Sequence, residues 1–464
     1  MRRPAHAMMI MVVAAPVLLT TVAPASAVPS PAPDGAAAAA PQYKVAAVIS
    51  DGNRSPIGRG LNETGTIAGY TGYPYTKAFV WDAAGGMSTL PGLPGDTRRF
   101  AFDVNDAETV VGHSGYESIE PPQRAVRWVG RVPEDLGVLP GGTDSHAEAI
   151  NEAGTIVGWS NSSSGNHAFV WTQAGGMVDI TPSAPPSQIA YAYDVNEADQ
   201  VTGHVGSRAF VWDDGVLTDL GVPPGYAFSF AYAINDAGVV AGHVTTASGS
   251  AERIARWTPG IGWKVLGGVG DLNVSWGINN DGTIVGEGRP SAGIERGFVY
   301  LKGVGLRSLS DLLTTNVWTI LYAFDVDDAG RIVAYGSNRQ TGDGATLLLV
   351  PVPVRPPMHE EGLRVLLRGS PVTTSALAKL RVVDESGAPV SRAVVHGSWS
   401  RNGDVIIADT KDRTDRDGRA RLSYGFGAVS SGETFEFCVT KITHAAYDYD
   451  VPPEPSCASV RVPG

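Results

Sequence analysis

The chain has 464 residues, with 35 Lys+Arg against 47 Asp+Glu (formal charge −12), and with 57 Gly, 32 Pro and 10 Trp against 7 Met and 2 Cys. That length suffices for two or three domains with substantial cores. The Gly-, Pro- and Trp-rich balance implies many short strands and tight turns and argues against helical bundles. The acidic charge, with no clustered Lys/Arg stripe in the sequence, argues against a nucleic-acid partner, because neutralising phosphates needs a basic field.

Taken from the N-terminus, Arg2 and Arg3 precede an apolar run from Met8 to Leu19, and Ala25-Ser26-Ala27 supplies the small residues of a signal-peptidase site. Residues 1–27 are therefore expected to be a cleaved secretory signal, with a retained signal anchor as the alternative. The apolar run is short for a membrane span, and no later segment reaches about 18 apolar residues. Secretion with no membrane span after cleavage is the expectation. The segment VPSPAPDGAAAAAP (28–41) is low in complexity and is expected to be a flexible leader.

From residue 42 the sequence repeats. GLNETGTIAGY (60–70), DVNDAETVVGH (103–113), AINEAGTIVGW (149–159), DVNEADQVTGH (194–204), AINDAGVVAGH (233–243), GINNDGTIVGE (277–287) and DVDDAGRIVAY (325–335) align on an apolar residue, an Asn or Asp, and a turn. Periods near 40–50 residues with four strand signals each suit the blades of a β-propeller. In the third period strand A is SHAEAIN (145–151), B is TIVGWS (155–160), C is HAFVW (167–171) and D is GMVDI (176–180). Asn closes the A–B turn through its side chain, and Gly supplies the positive φ needed to re-enter the ladder. Calcium ligation by these acidic turns is the alternative, although ligands arriving two at a time fall short of six to eight oxygens. Strand C recurs as AFVW (78–81), AVRW (125–128), AFVW (168–171), AFVW (209–212), IARW (254–257), GFVY (297–300) and LLLV (347–350). Its Trp is expected to fill the wedge between neighbouring blades. The seventh period lacks strand D, and YKVAAVI (43–49) stands spare before the first. If that strand completes the last blade, the ring closes without exposed edges.

The unit INEAGTIVGWS…HAFVW…GGMVDI, led by LGVLPGGTDSHA (136–147), resembles the HAF repeat of secreted bacterial proteins, with His167-Ala168-Phe169 as the eponymous triplet. The resemblance covers residues 42–354 and implies an extracellular, propeller-like repeat protein. It carries no catalytic residues. Most copies here hold Lys77, Arg124 or Arg208 where His167 stands.

After RPPMHEEG (355–362) the repeat stops, and ALAKLRVVD (376–384), AVVHGSWS (393–400), DVIIADT (404–410), ARLSYGF (420–426), TFEFCVT (434–440) and ASVRV (458–462) read as short strands. Residues 355–464 are expected to form an immunoglobulin-like β-sandwich. The pattern Val383, Asp384, Gly387, Pro389, Val390, then Val395, Gly397, Trp399, Ser400, then Thr414, Asp415, Gly418, Ala420 resembles the Ig-like accessory modules of secreted bacterial hydrolases. Such modules imply spacing or adhesion. The secreted context favours a disulfide between Cys438 and Cys457, with no C-x-x-C to suggest redox work. The Asp-rich run 408–418 is read as a solvated hairpin turn, with calcium as the alternative. The fold class expected for the whole chain is all-β: a seven-bladed β-propeller closed by its N-terminal strand, then the sandwich.

No Gly-x-Ser-x-Gly elbow, His-Glu-x-x-His, phosphate loop or dinucleotide fingerprint is present, so no catalytic residue, cofactor or metal is assigned. The candidate sites come from equivalent positions around the ring. The end of strand B gives Tyr70, His113, Trp159, His204, His243, Glu287 and Tyr335; the start of strand A gives Ile57, Phe100, His146, Tyr191, Phe230, Val274 and Tyr322. Aromatic and His side chains around a mouth could stack on sugars or grip a peptide; packing between blades is the alternative. Three functions compete: a monomeric, non-enzymatic recognition protein for an extracellular glycan or protein; a carbohydrate-active enzyme using carboxylates among Glu148, Asp103, Asp194 and Asp325; and a structural envelope protein.

Overall fold

The computed structural model describes residues 40–51, 55–72, 76–115, 122–249, 251–290, 293–352, 357–370, 373–384, 386–445, 447–449 and 456–463. The expected signal segment 1–27 and all but the last two residues of the expected leader 28–41 lie outside the described residues. No helix among the described residues is long and apolar enough to cross a membrane. The chain divides into one compact unit over Lys44–Val350 and another over Pro351–Gly464 with Pro41–Tyr43.

The first unit is propeller-like and built of four-stranded sheets, one per sequence period. Sheet 1 runs Ile57–Leu61, Ile67–Tyr70, Ala78–Asp82, Gly86–Thr89, and sheet 2 runs Arg98–Val104, Val110–Gly115, Gln123–Val129, Val132–Asp135. Sheet 3 holds Ser145–Ile150, Ile156–Ser162, Gly165–Thr172 and Gly176–Asp179; sheet 4 holds Ala190–Val195, Val201–Val205, Arg208–Asp213 and Val216–Asp219. Sheet 5 has Phe228–Ile234, Val240–Thr245, Glu252–Thr258 and Gly262–Gly267, and sheet 6 has Leu272–Ile278, Ile284–Arg289, Arg296–Leu301 and Gly305–Ser308. Sheet 7 takes Trp318–Val326, Ile332–Asn338 and Gly344–Val352 from the last period, and its fourth, outermost strand is the N-terminal Gln42–Ile49. Each sheet packs on the next, and sheet 7 packs on sheet 1.

Three repeated devices explain why the sequence folds this way. The Gly of strand B lies so close to strand A that a Cβ at Gly158 would overlap the carbonyl oxygen of His146. A larger residue there would push the two strands apart. The strand C aromatics fill space between sheets: Trp128 is fully buried, donates from Nε1 to the Pro91 carbonyl at 2.7 Å, and joins a core cluster shared by sheets 1 and 2. Trp171, also buried, joins a cluster shared by sheets 2 and 3.

The third device is the turn Asn, which does more than close its own turn. Asn105 Oδ1 accepts from Thr109 N at 2.9 Å within the turn, while Nδ2 donates to the Asn151 carbonyl of the next sheet at 3.2 Å. The same link runs from Asn62 to Asn105, Asn151 to Asn196, Asn196 to Asn235, Asn235 to Asn279 and Asn279 to Asp327, at 2.9–3.0 Å. Sheet 7 carries Asp327, which has no amide to donate. Arg331 pairs with the Asp327 carboxylate and donates from Nη2 to the Glu63 carbonyl at 2.7 Å, returning the chain of bonds to sheet 1. One position further on, the carboxylates of Glu152, Glu197, Asp236, Asp328 and Glu63 accept backbone N–H groups of the adjacent sheet's turn at 2.8–3.0 Å. The acidic turns that could suggest calcium are thus engaged in hydrogen bonds between sheets.

The second unit contains two four-stranded sheets. One is ordered Arg419–Gly427, Thr373–Asp384, Pro357–Ser370, Asp448–Tyr449; the other is Asp404–Arg413, Val394–Arg401, Thr434–Thr443, Cys457–Arg461. One core cluster draws on both, including Met358, Val365, Ala378, Trp399, Leu422, Phe435 and Phe437. Cys438 faces Cys457 in the antiparallel register, and the two are joined in a disulfide. Two strands went unread in the sequence: Pro357–Ser370, whose start MHEEG is too charged to look like a strand, and the two-residue Asp448–Tyr449.

Candidate functional site at the inner strands

The two rings expected from the sequence are cross-strand partners. Register places Tyr70 opposite Ile57, His113 opposite Phe100, Trp159 opposite His146 and His204 opposite Tyr191. His243 likewise faces Phe230, Glu287 faces Val274 and Tyr335 faces Tyr322.

Strand A carries a bulge in every sheet, and the bulged residue forms a further ring, of which the sequence reading named only Glu148: Arg59, Phe102, Glu148, Tyr193, Tyr232, Trp276 and Phe324. Bulged residues oppose no single partner and re-aim their side chains. A strict two-residue period would have flagged them, since each lies two positions after the start of strand A.

These rings form a nearly continuous string of aromatic contacts from sheet 1 to sheet 7. Tyr70 meets Phe100 (centroids 5.0 Å apart), Phe100 stacks on His113 (4.6 Å), His113 lies against His146 (3.9 Å), and His146 stacks on Trp159 (4.2 Å). The string continues through Tyr191, His204, Phe230 and His243 to Tyr232, Trp276, Phe324, Tyr322 and Tyr335. Arg59 reaches across it, its guanidinium 4.7 Å from the Phe324 ring, 4.9 Å from Trp276 and 5.6 Å from Phe102. Each such contact attracts through the ring quadrupole.

Accessibility separates the candidates. His113, His204 and His243 are buried, and the Nδ1 of each has no hydrogen-bond partner among the described residues. They offer a ligand little surface. Tyr70, His146, Trp159, Tyr191, Glu287 and Tyr335 are half-buried and keep accessible surface. Burial pushes His146 and His243 down to about 3 and His204 to about 4, and holds His113 well below the ordinary imidazole range. All four imidazoles are therefore neutral at pH 7 and act as flat polar surfaces. His167, the residue of the eponymous triplet, is elsewhere. It is buried between strands C and D, 2.9 Å from Asp179 and 3.1 Å from Ser164 Oγ.

The four candidate carboxylates fall into two groups. Asp103 accepts from Val104 N (2.8 Å) and from Ile150 N of sheet 3 (2.9 Å); Asp194 does so from Val195 N and Ile234 N, and Asp325 from Val326 N and Leu61 N. Each thus spends one oxygen on its own strand and the other on the neighbouring sheet. Small residues occupy the equivalent place elsewhere, and a Cβ on Gly60 would stand 2.6 Å from the Asp103 Cα. Burial raises Asp103 to about 6 and Asp325 to about 7, and raises Asp194 well above the carboxylate range. Glu148 is different: burial, opposed by Arg59 and a Trp159 hydrogen bond, brings it to about 7. Glu287 also reaches about 7 through burial, opposed by Arg289 and Trp276. Both sit beside accessible aromatic surface with Arg59 nearby.

Among the described residues the closest His/Cys/Asp/Glu cluster is Glu436 with Cys438 and Cys457, whose sulfurs are engaged in the disulfide. In the Asp-rich run, Asp415 Oδ1 accepts from Asp417 N and Arg419 N at 2.9 Å, as in a hairpin turn.

Neither protein-family models nor curated proteins gave a match to this chain. Among solved structures the chain is similar to the crystal structure of Porphyromonas gingivalis dipeptidyl peptidase 4, at 9% sequence identity and a TM-score of 0.36, over 89% of this chain and 72% of that one.

Proposed function

We propose that this is a secreted, non-enzymatic recognition protein: a closed seven-bladed β-propeller of HAF-like repeats followed by an immunoglobulin-like sandwich. Its ligand, an extracellular glycan, stacks on the accessible aromatic rim of the inner strands. The ring of Asn and Arg331 hydrogen bonds supports closure, and the shared core of the two C-terminal sheets supports the sandwich. The observation that carries the binding reading is the partly exposed stack of His146 on Trp159, continued by Tyr191. Aromatic faces beside hydrogen-bonding tips suit the apolar faces and hydroxyls of sugars. The neutral imidazoles keep such a surface from depending on a charged ligand.

The test is binding of the full chain to neutral polysaccharides and cell-wall preparations, with a reducing-end assay on the same samples. Saturable binding lost in Trp159→Ala, without new reducing ends, supports the proposal. A second reading, a polysaccharide hydrolase, draws on Glu148 and Glu287, both near 7 beside the same surface. New reducing ends that disappear in Glu148→Gln would favour it.

A further inference from the structure

The first sheet of the second unit turns Ala376, Ala378, Leu380 and Val382 into the core. Strand alternation therefore puts Leu377, Lys379 and Arg381 on its other face. On that outer face the register sets Arg364, Lys379 and Arg421 side by side across three strands, and Arg381 beside Arg419 in the next rung. Neighbouring strands lie about 4.8 Å apart, and like charges directly opposite destabilise a sheet. A chain with net charge −12 thus concentrates five cations on two rungs. The sequence hides this because the residues come from three separate segments.

The second rung is neutralised from within. Arg381 pairs with Glu361 at 3.0 Å and donates to the Asp417 carbonyl, while Arg419 pairs with Asp417 at 2.6 Å. The first rung is not: among the described residues the side chains of Arg364, Lys379 and Arg421 make no hydrogen bond or ion pair. Asp415 attracts Arg421 through space without an ion pair while accepting turn amides, and Asp412 accepts the Arg421 backbone N–H. A trough of about 480 Å³ lies over the two rungs. Beside the free rung stand Leu366 and Leu377, one opposite the other.

We propose that this face binds a linear polysaccharide bearing one carboxylate per sugar, laid across the strands along the Arg364–Lys379–Arg421 rung. Evenly spaced carboxylates match evenly spaced strands, guanidinium forks suit carboxylates, and the exposed Leu366 offers apolar surface to a sugar ring face. Nucleic acid is disfavoured by the acidic chain and by an outer face that, among its described residues, has no Trp, Tyr or Phe on which bases could stack. This site is separate from the aromatic rim and does not depend on it.

The experiment titrates the full chain with polygalacturonate, with dextran, oligothymidylate and phosphatidylserine vesicles as comparison probes. Saturable binding to polygalacturonate is expected, weakening as salt rises toward about 0.15 M. The Arg364→Glu/Arg421→Glu double variant is expected to bind at least tenfold more weakly, and Lys379→Gln severalfold more weakly, while Arg296→Glu binds normally. Thermal unfolding of the double variant should be no earlier than that of the parent, because it relieves repulsion; if it fails to fold, Lys379→Gln decides. Undiminished binding by these variants, absence of saturable binding to polygalacturonate, or tighter binding to the oligonucleotide or the vesicles would overturn the proposal.

Discussion

The hydrogen bonds that pass from turn to turn predict a specific failure and a specific rescue. In Asn105→Asp the turn keeps its acceptor for Thr109 N, but the amide that donates to the Asn151 carbonyl is lost, and a carboxylate oxygen takes its place. Asn105 is 4% exposed, and the Asn151 carbonyl keeps only the Gly154 N–H at 3.1 Å, so its second hydrogen bond is lost and a carboxylate is buried beside it. An unsatisfied buried polar group costs about 1–3 kcal/mol, and the buried negative charge adds to it. The expected loss is therefore about 2–4 kcal/mol, or about 2–4 °C in Tm per kcal/mol for a unit of this size. Sheet 7 solves the same problem with Asp327 and Arg331, four residues on. Thr109 is the equivalent of Arg331, and the space beside Gly154 is open to a longer side chain. Asn105→Asp/Thr109→Arg should consequently recover at least half of the loss. Urea and thermal unfolding of the two variants would measure this, and a double variant no more stable than Asn105→Asp would refute the reasoning.

Other outcomes follow from the same contacts. Trp128→Ala empties a fully buried site and should cost about 3–5 kcal/mol, read as a shift in denaturant midpoint. Reduction of Cys438–Cys457 should lower the stability of the second unit by about 3 kcal/mol, and protease sensitivity should rise within residues 357–463 without a change in the first unit. The pH response has a definite sign. Asp325, Glu148 and Glu287, near 7, and Asp194, which burial raises well above its ordinary value, hold protons that the unfolded chain has already released. Their stabilisation is full below about pH 4 and is lost as pH rises through 7. The buried histidines act oppositely, losing stability as pH falls below their ordinary 6.5 towards 3–4, so the two sets largely offset between those limits. Net stability should fall from about pH 6 to 8, by roughly 1.4 kcal/mol per pH unit for each retained proton. A rise across that window in denaturant midpoints would contradict these assignments.

Much of the first unit was legible because one solution is written once per period. The Asn-x-x-Gly turn, the strand B Gly and the strand C Trp recur at fixed offsets, so each strand position is supported several times over. The spare strand at 43–49 and the missing seventh strand D fitted each other for the same reason. What could not be read depends on relations between distant segments. The second role of the turn Asn needs the next sheet's carbonyl, some 39–48 residues away. Asp103, Asp194 and Asp325 share one position before the strand A turn, which in the sequence already looks like a repeated structural feature, but their donors Ile150, Ile234 and Leu61 lie in other periods. In the second unit, the basic rung exists only after three strands are laid in register.

The recognition account is tested most directly by titrating the full chain and its Trp159→Ala variant with neutral cell-wall polysaccharide, while reducing ends are followed in the same tubes. The account predicts saturable binding by the parent, at least tenfold weaker binding by the variant with an unchanged Tm, and a flat reducing-end signal. Binding indifferent to Trp159, or reducing ends that accumulate with time, would contradict it.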